Sequence, residues 1–147
     1  MNVLPSGRKV CTFDCPYCEC GLTRGAAVLP GETTSPTAGD VLGALEVALS
    51  AQAVPLDAIT FAGNGEPTLH PEFERVAAGA RALRDRLAPR ARLALLTNGI
   101  RLAEPGIRAA ALDNFEDVEV KLDAGTPETF ARVAAPTVPW SFEEHVR

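Results

Sequence analysis

The residues of this sequence best suited to chemistry are gathered near one end. All four cysteines fall within Cys11-Thr12-Phe13-Asp14-Cys15-Pro16-Tyr17-Cys18-Glu19-Cys20. A disulfide framework spreads cysteines through a chain to close loops, whereas clustering in one short segment suggests a metal or a cluster. The first three have the spacing C-x3-C-x2-C. Thiolates are soft ligands that suit iron–sulfur clusters and zinc. Three of them on a Gly/Pro-rich loop can wrap one cubane, leaving its fourth iron open to another ligand. A structural zinc ion takes four protein ligands, commonly as two separated pairs. Cys20 could be a fourth thiolate, but one residue separates it from Cys18, which is cramped for a shared tetrahedral ion. The two histidines, His70 and His145, are remote in sequence. Spacing alone favours a cluster over zinc and leaves free thiols open.

Further candidate groups stand where short apolar runs end. AITFA at 58–62 runs into Gly63-Asn64-Gly65-Glu66-Pro67, RLALLT at 92–97 into Asn98-Gly99, and DVEVKL at 117–122 into Asp123. Each run reads as a strand. Asn and Gly tolerate positive φ, so both Gly-containing segments also read as ordinary turns. In the third run Val118, Val120 and Leu122 share one face, and Glu119 and Lys121 the other. Lys121 and Asp123 could pair with each other or with Glu119. Tyr17 could simply cover the cysteine site, and His70 reads as a helix-start residue rather than a ligand.

The elements between these runs are helical. Thr37 and Asp40 form a box-like cap for a helix at about 38–52, in which Val41, Leu42, Leu45, Ala48 and Leu49 make one apolar face. A second helix spans about 71–87. Pro71 suits its first position, Glu72 and Glu74 suit the positive end of its dipole, and Pro89 prevents its continuation. Shorter helices are expected at about 103–112 and from Thr126-Pro127-Glu128 to a stop before Pro136. Residues 1–36 read as loop, with Met1–Leu4 at most a strand remnant. Strand and helix alternate, so the fold class is α/β with a parallel sheet.

Composition agrees with a single globular domain: 147 residues, 46% hydrophobic and 22% charged. A net charge of −5 gives no support for nucleic-acid binding by this segment. No apolar stretch approaches the roughly 18 residues of a membrane span, and the N-terminus lacks a signal-peptide core. The expected location is cytoplasmic.

The cysteine segment resembles the motif of the radical S-adenosylmethionine (SAM) enzymes, C-x3-C-x2-C with an aromatic residue, here Tyr17, before the third cysteine. Gly63-Asn64-Gly65-Glu66-Pro67 resembles the family's Gly-Gly-Glu motif, with its first glycine displaced. Leu96-Thr97-Asn98-Gly99 and Val120-Lys121-Leu122-Asp123 look like the ends of the third and fourth barrel strands. The wording LPSGRKVCTFDCPYCECG with GNGEPTLHPEF is most similar to the Fe–S oxidoreductase branch, related to the wybutosine-synthesis enzymes. The resemblance implies that Cys11, Cys15 and Cys18 ligate a [4Fe–4S] cluster whose open iron is chelated by SAM. It implies that Tyr17 lies near the adenine, that Gly65 and Glu66 contact the methionine amino group, and that Asn98, Lys121 and Asp123 lie near the ribose and the methionine carboxylate. The activity it implies is reductive cleavage of SAM to a 5′-deoxyadenosyl radical, which abstracts hydrogen from an unknown substrate. Electrons would come from a donor such as flavodoxin or ferredoxin. A non-catalytic zinc- or iron–sulfur-binding module and an inactive remnant are the other readings.

A full α/β barrel takes about 200–250 residues. This chain supplies about four β/α units, and a helix-start signature at Ser141-Phe142-Glu143-Glu144 has three residues after it. The expectation is a partial (β/α) TIM-like barrel with an N-terminal cluster-binding loop: residues 1–147 as the N-terminal portion of a radical SAM core domain, truncated on its C-terminal side.

Overall fold

The computed structural model describes residues 1–23 and 35–147; the part of the expected N-terminal loop at 24–34 lies outside the described residues. Helix α1 spans Ala38–Ser50, strand β1 Ala58–Phe61, helix α2 Phe73–Leu87, strand β2 Arg92–Thr97, helix α3 Pro105–Asn114, strand β3 Asp117–Val120, helix α4 Pro127–Val133 and helix α5 Phe142–His145. The strands form a parallel sheet in the order β1-β2-β3. The fold is therefore α/β, with three β/α units in the sheet. The remnant of an earlier strand is present as Asn2, which bridges in parallel to Ala62. No helix among the described residues is long and apolar enough to cross a membrane.

Parallel register sorts the side chains. Ile59 lies opposite Leu93, and both Phe61 and Val118 lie opposite Leu95. These residues face Val41, Leu45, Phe73, Val76, Ala77 and Ala111 of the helices in one core. Phe115 packs edge-on to Phe61 at 4.8 Å and stacks on Phe73 at 6.3 Å. The opposite sheet face carries Arg92, Leu96 and Glu119, all exposed.

The cap on α1 is the expected one: Thr37 Oγ1 accepts from the Asp40 N–H, and Asp40 accepts from the Thr37 N–H. Other boundaries differ. β1 ends at Phe61, and Ala62 is held only by its bridge to Asn2. α2 starts at Phe73 rather than Pro71, because Glu72 keeps a non-helical backbone and accepts from the Ala38 N–H at 2.8 Å, joining α1 to α2. His70 is not at the helix start either. It closes a 3-10 turn at Pro67–Leu69, buried, with Nδ1 accepting from the Glu72 N–H. The expected helix at 103–112 splits into a 3-10 turn, Ile100–Ala103, and α3, which restarts at Pro105 because proline is preorganised for a first helical position. β3 stops at Val120, so Leu122 is exposed and does not continue the strand face. The cap at Ser141 opens only one turn.

Ion pairs from Arg81 and Arg84 of α2 to Glu116, just before β3, tie the helical layer to the sheet. Arg84 of α2 is buried; it donates to both carboxylate oxygens of Glu116 at 2.7 and 3.1 Å, and to the Ala91 carbonyl. Glu116 also accepts from the Leu93 N–H at 2.7 Å. These bonds, led by the one from Arg84, lower the Glu116 carboxyl from 4.5 to about 2. The native state therefore binds fewer protons than the unfolded chain between those values, and the stabilisation is lost as pH falls from 4.5 towards 2. Glu116→Gln is expected to cost about 1–2 kcal/mol at neutral pH, discounted for partial exposure. It should also flatten the acid limb of a urea-unfolding series measured against pH.

Candidate functional site

The C-terminal ends of the three strands and the cysteine loop enclose a cavity of about 560 Å³. Cys11, Cys15, Tyr17 and Cys18 line it from the loop, and Gly65 and Glu66 line it from beyond β1. Asn98 after β2 and Lys121 and Asp123 after β3 complete the set. All nine residues singled out in the sequence thus meet at one place, from four separate segments. Asn64 turns away: its side-chain amide donates to the Pro5 and Ser6 carbonyls.

The cysteine loop is fixed from three sides. The Val10 N–H donates to the Asn64 carbonyl and the Val10 carbonyl accepts from the Glu66 N–H, both at 2.8 Å, which seats the residue before Cys11 against the turn after β1. On the far side, the Asp14 N–H donates to the Ala134 and Ala135 carbonyls, and the Thr137 N–H donates to the Thr12 carbonyl. Underneath, Phe13 and Cys15 pack with Phe130 and Ala134 in a second apolar cluster. Burial pushes the Cys11 thiol up to about 11, opposed by the Phe13 N–H, which donates to its sulfur at 3.3 Å. Burial also raises Cys15. Cys20 is exposed and directed at the Gly63 carbonyl, 3.4 Å away, outside the cavity lining.

Glu66 organises the floor. The residue is 2% exposed, and its carboxylate takes four hydrogen bonds. Oε1 accepts from the Thr68 N–H, the Thr68 hydroxyl and the Thr97 hydroxyl; Oε2 accepts from the Asn98 N–H at 2.6 Å. Burial drives the carboxyl pKa up while these bonds oppose it. The Asn98 amide in turn donates to the Thr12 hydroxyl at 2.8 Å and lies 3.8 Å from the Cys11 sulfur. Glu66→Ala would leave four donors without their acceptor, three of them on buried Thr68 and Thr97. The expected cost is about 3 kcal/mol or more, read as a lower urea midpoint.

At the rim, Lys121 Nζ bonds to both the Tyr17 hydroxyl and the Asp123 carboxylate, and the Tyr17 hydroxyl also bonds to Asp123. The ammonium lies 4.5 Å from the Tyr17 ring centroid, a cation–π contact. His145 supports this group from below. It accepts from the Trp140 indole N–H through Nδ1, so Nε2 carries the proton and donates to the Lys121 carbonyl at 2.6 Å.

Lys9, Thr12, Thr97 and His145 did not stand out as site residues in the sequence. Lys9 and Thr97 line the cavity, while Thr12 and His145 hold residues that do. Thr12, Thr97 and His145 are recruited by partners distant in the chain, whereas Lys9 bonds within its own loop, to Asp14 and Gly21.

The donor set, three thiols of one loop at one cavity, is of the type that holds an iron–sulfur cluster. The surrounding acceptors and the Lys121 ammonium suit a zwitterionic ligand beside it.

Comparison with known proteins follows the same line. The family model of the radical SAM superfamily matches residues 8–147. A UPF0026 protein of Helicobacter pylori (strain ATCC 700392 / 26695) is 30% identical over 137 residues, covering 90% of this chain and 41% of that protein. A UPF0026 protein of Synechocystis sp. is 32% identical over 132 residues, covering 87% of this chain and 44% of its own length. The chain thus spans less than half the length of these curated relatives. The crystal structure of BtrN in complex with AdoMet and 2-DOIA superposes with a TM-score of 0.51 at 21% identity, over 90% of this chain and 48% of that one.

Proposed function

The chain belongs to the radical SAM superfamily, whose cofactors are a [4Fe–4S] cluster and SAM, and from that premise we propose that Cys11, Cys15 and Cys18 hold the cluster while the strand ends hold SAM. The observation that carries this reading is the meeting of three loop thiols with the polar groups beyond β1, β2 and β3 around one cavity. When bound, the two cofactors supply one-electron reductive cleavage of the sulfonium and hydrogen abstraction from a substrate by the 5′-deoxyadenosyl radical. The chain's own residues bind and orient. Gly65 and Glu66 offer acceptors to the methionine ammonium. Lys121 offers a cation to the carboxylate, and Asn98 and Asp123 offer polar groups to the carboxylate and ribose. Tyr17, which lines the cavity, would lie near the adenine. The apolar cluster of Phe13, Phe130 and Ala134 beneath the loop keeps water from one side of the site.

In this reading the three-stranded sheet is part of a TIM-like barrel, and residues 1–147 are the N-terminal portion of a radical SAM core domain. Further strands would add substrate contacts. BtrN, which shares the fold, binds AdoMet, and this supports SAM as the ligand of this chain. A low-potential donor such as flavodoxin or ferredoxin is the expected electron source.

Anaerobic reconstitution with iron and sulfide tests the proposal. The expected result is about four irons and four sulfides per chain. The reduced-cluster electron paramagnetic resonance signal should change when SAM is added, and 5′-deoxyadenosine should form under reduction. One zinc per chain with no acid-labile sulfide would establish the non-catalytic module instead.

A further inference from the structure

Lys9 has a side chain that is only 2% exposed, although an ammonium is costly to bury without partners. It has two. Nζ donates to Asp14 Oδ1 at 3.2 Å and to the Gly21 carbonyl at 3.0 Å. Asp14 Oδ1 also accepts from the Thr23 N–H at 2.6 Å. One lysine therefore fastens both ends of the segment that carries Cys15, Cys18 and Cys20. The same lysine lines the cavity beside Cys11, Cys15 and Cys18. Its partner Asp14 is 24% exposed, so water screens the negative end of the pair more than the positive end.

We propose that Lys9 is a positioning residue that closes the cysteine loop and sets a buried positive charge against the thiolate-held cluster. The proposal rests on the cluster reading given above. A cubane held by three thiolates is anionic and becomes more so when it takes up an electron. A desolvated cation beside it stabilises the reduced form more than the oxidised one, which raises the reduction potential. No covalent step is involved; the only change is one electron from the donor to the cluster.

The test compares wild type, Lys9→Met and Asp14→Asn. Lys9→Met should shift the midpoint potential to more negative values. Asp14→Asn removes the anion and keeps the cation, so it should shift the potential the other way. Both should lose iron to a chelator about 10-fold faster than wild type, the scale expected when an outer partner of a metal site is removed. In the iron-free protein both should speed amide hydrogen exchange across residues 15–21. Shifts of the same sign, or an unchanged potential in Lys9→Met, would overturn the electrostatic role; unchanged exchange in both variants would overturn the loop closure. If Lys9→Met fails to fold, Asp14→Asn alone reads both quantities. A wild-type chain that binds no iron overturns the cluster reading and the electrostatic role with it, and the exchange data still decide the loop closure.

Discussion

Gly65→Ala is expected to cost at least about 4 kcal/mol, and any folded fraction should bind no iron. Gly65 has φ +138°, a conformation that side-chain-bearing residues rarely adopt. A Cβ there would lie 1.7 Å from the Val10 carbonyl oxygen and 2.4 Å from its carbon. These are backbone atoms, so no rotamer change relieves the clash. The chain around Val10 must move, which breaks the two 2.8 Å hydrogen bonds that seat it against Asn64 and Glu66. Cys11 follows Val10 directly, so the same movement carries the first thiol out of the cavity. Gly7→Ala is the control: nothing lies within 4 Å of a Cβ at that position, and the change should stay within about 0.5 kcal/mol. Urea unfolding and iron content of both variants measure the difference. Wild-type stability in Gly65→Ala would refute the close approach of these two segments.

The same pair of residues shows what the sequence could and could not convey. A Gly-Asn-Gly turn after an apolar run is a local pattern, and so are the capping box of Thr37 with Asp40 and the cysteine spacing. Such patterns placed the strands and the parallel sheet, and the resemblance to the radical SAM motifs singled out the nine candidate residues that line one cavity. The close approach of Val10 to Gly65 is different, because nothing near Val10 encodes its partner 55 positions away. Glu66 bonds to Thr97 and Asn98 across 31 and 32 positions, and Asn98 to Thr12 across 86. Boundaries failed for the same reason. Pro71 and Glu72 carry a good local start for a helix, but Glu72 is taken by the Ala38 N–H and the helix begins at Phe73. The alternation of Val118, Val120 and Leu122 reads as a continuing strand. The backbone leaves β2 after the bond from the Lys121 N–H to the Thr97 carbonyl, and this frees Lys121 and Asp123 to reach Tyr17. Local propensity gives way where a tertiary partner offers more.

Cys11→Ala, Cys15→Ala and Cys18→Ala should each abolish cluster loading and SAM cleavage, whereas Cys20→Ala should keep both. Removing an outer partner of a metal site costs about 10–100-fold, and removing a direct ligand costs more. The prediction separates three proposed ligands from Cys20 because Cys11, Cys15 and Cys18 line the cavity and Cys20 does not. The variants should differ from one another before any iron is added. Cys15 is buried against Phe13, Phe130 and Ala134, so its truncation removes packed volume and should lower iron-free stability by about 1 kcal/mol. Cys18 is half-buried, and its truncation should cost less. Iron content, acid-labile sulfide and unfolding midpoints from the same preparations therefore distinguish a lost ligand from a lost fold. A Cys20→Ala protein that loses iron as fully as Cys18→Ala would make Cys20 a fourth ligand. That outcome would close the iron left open for SAM and return the site to the metal-binding module reading.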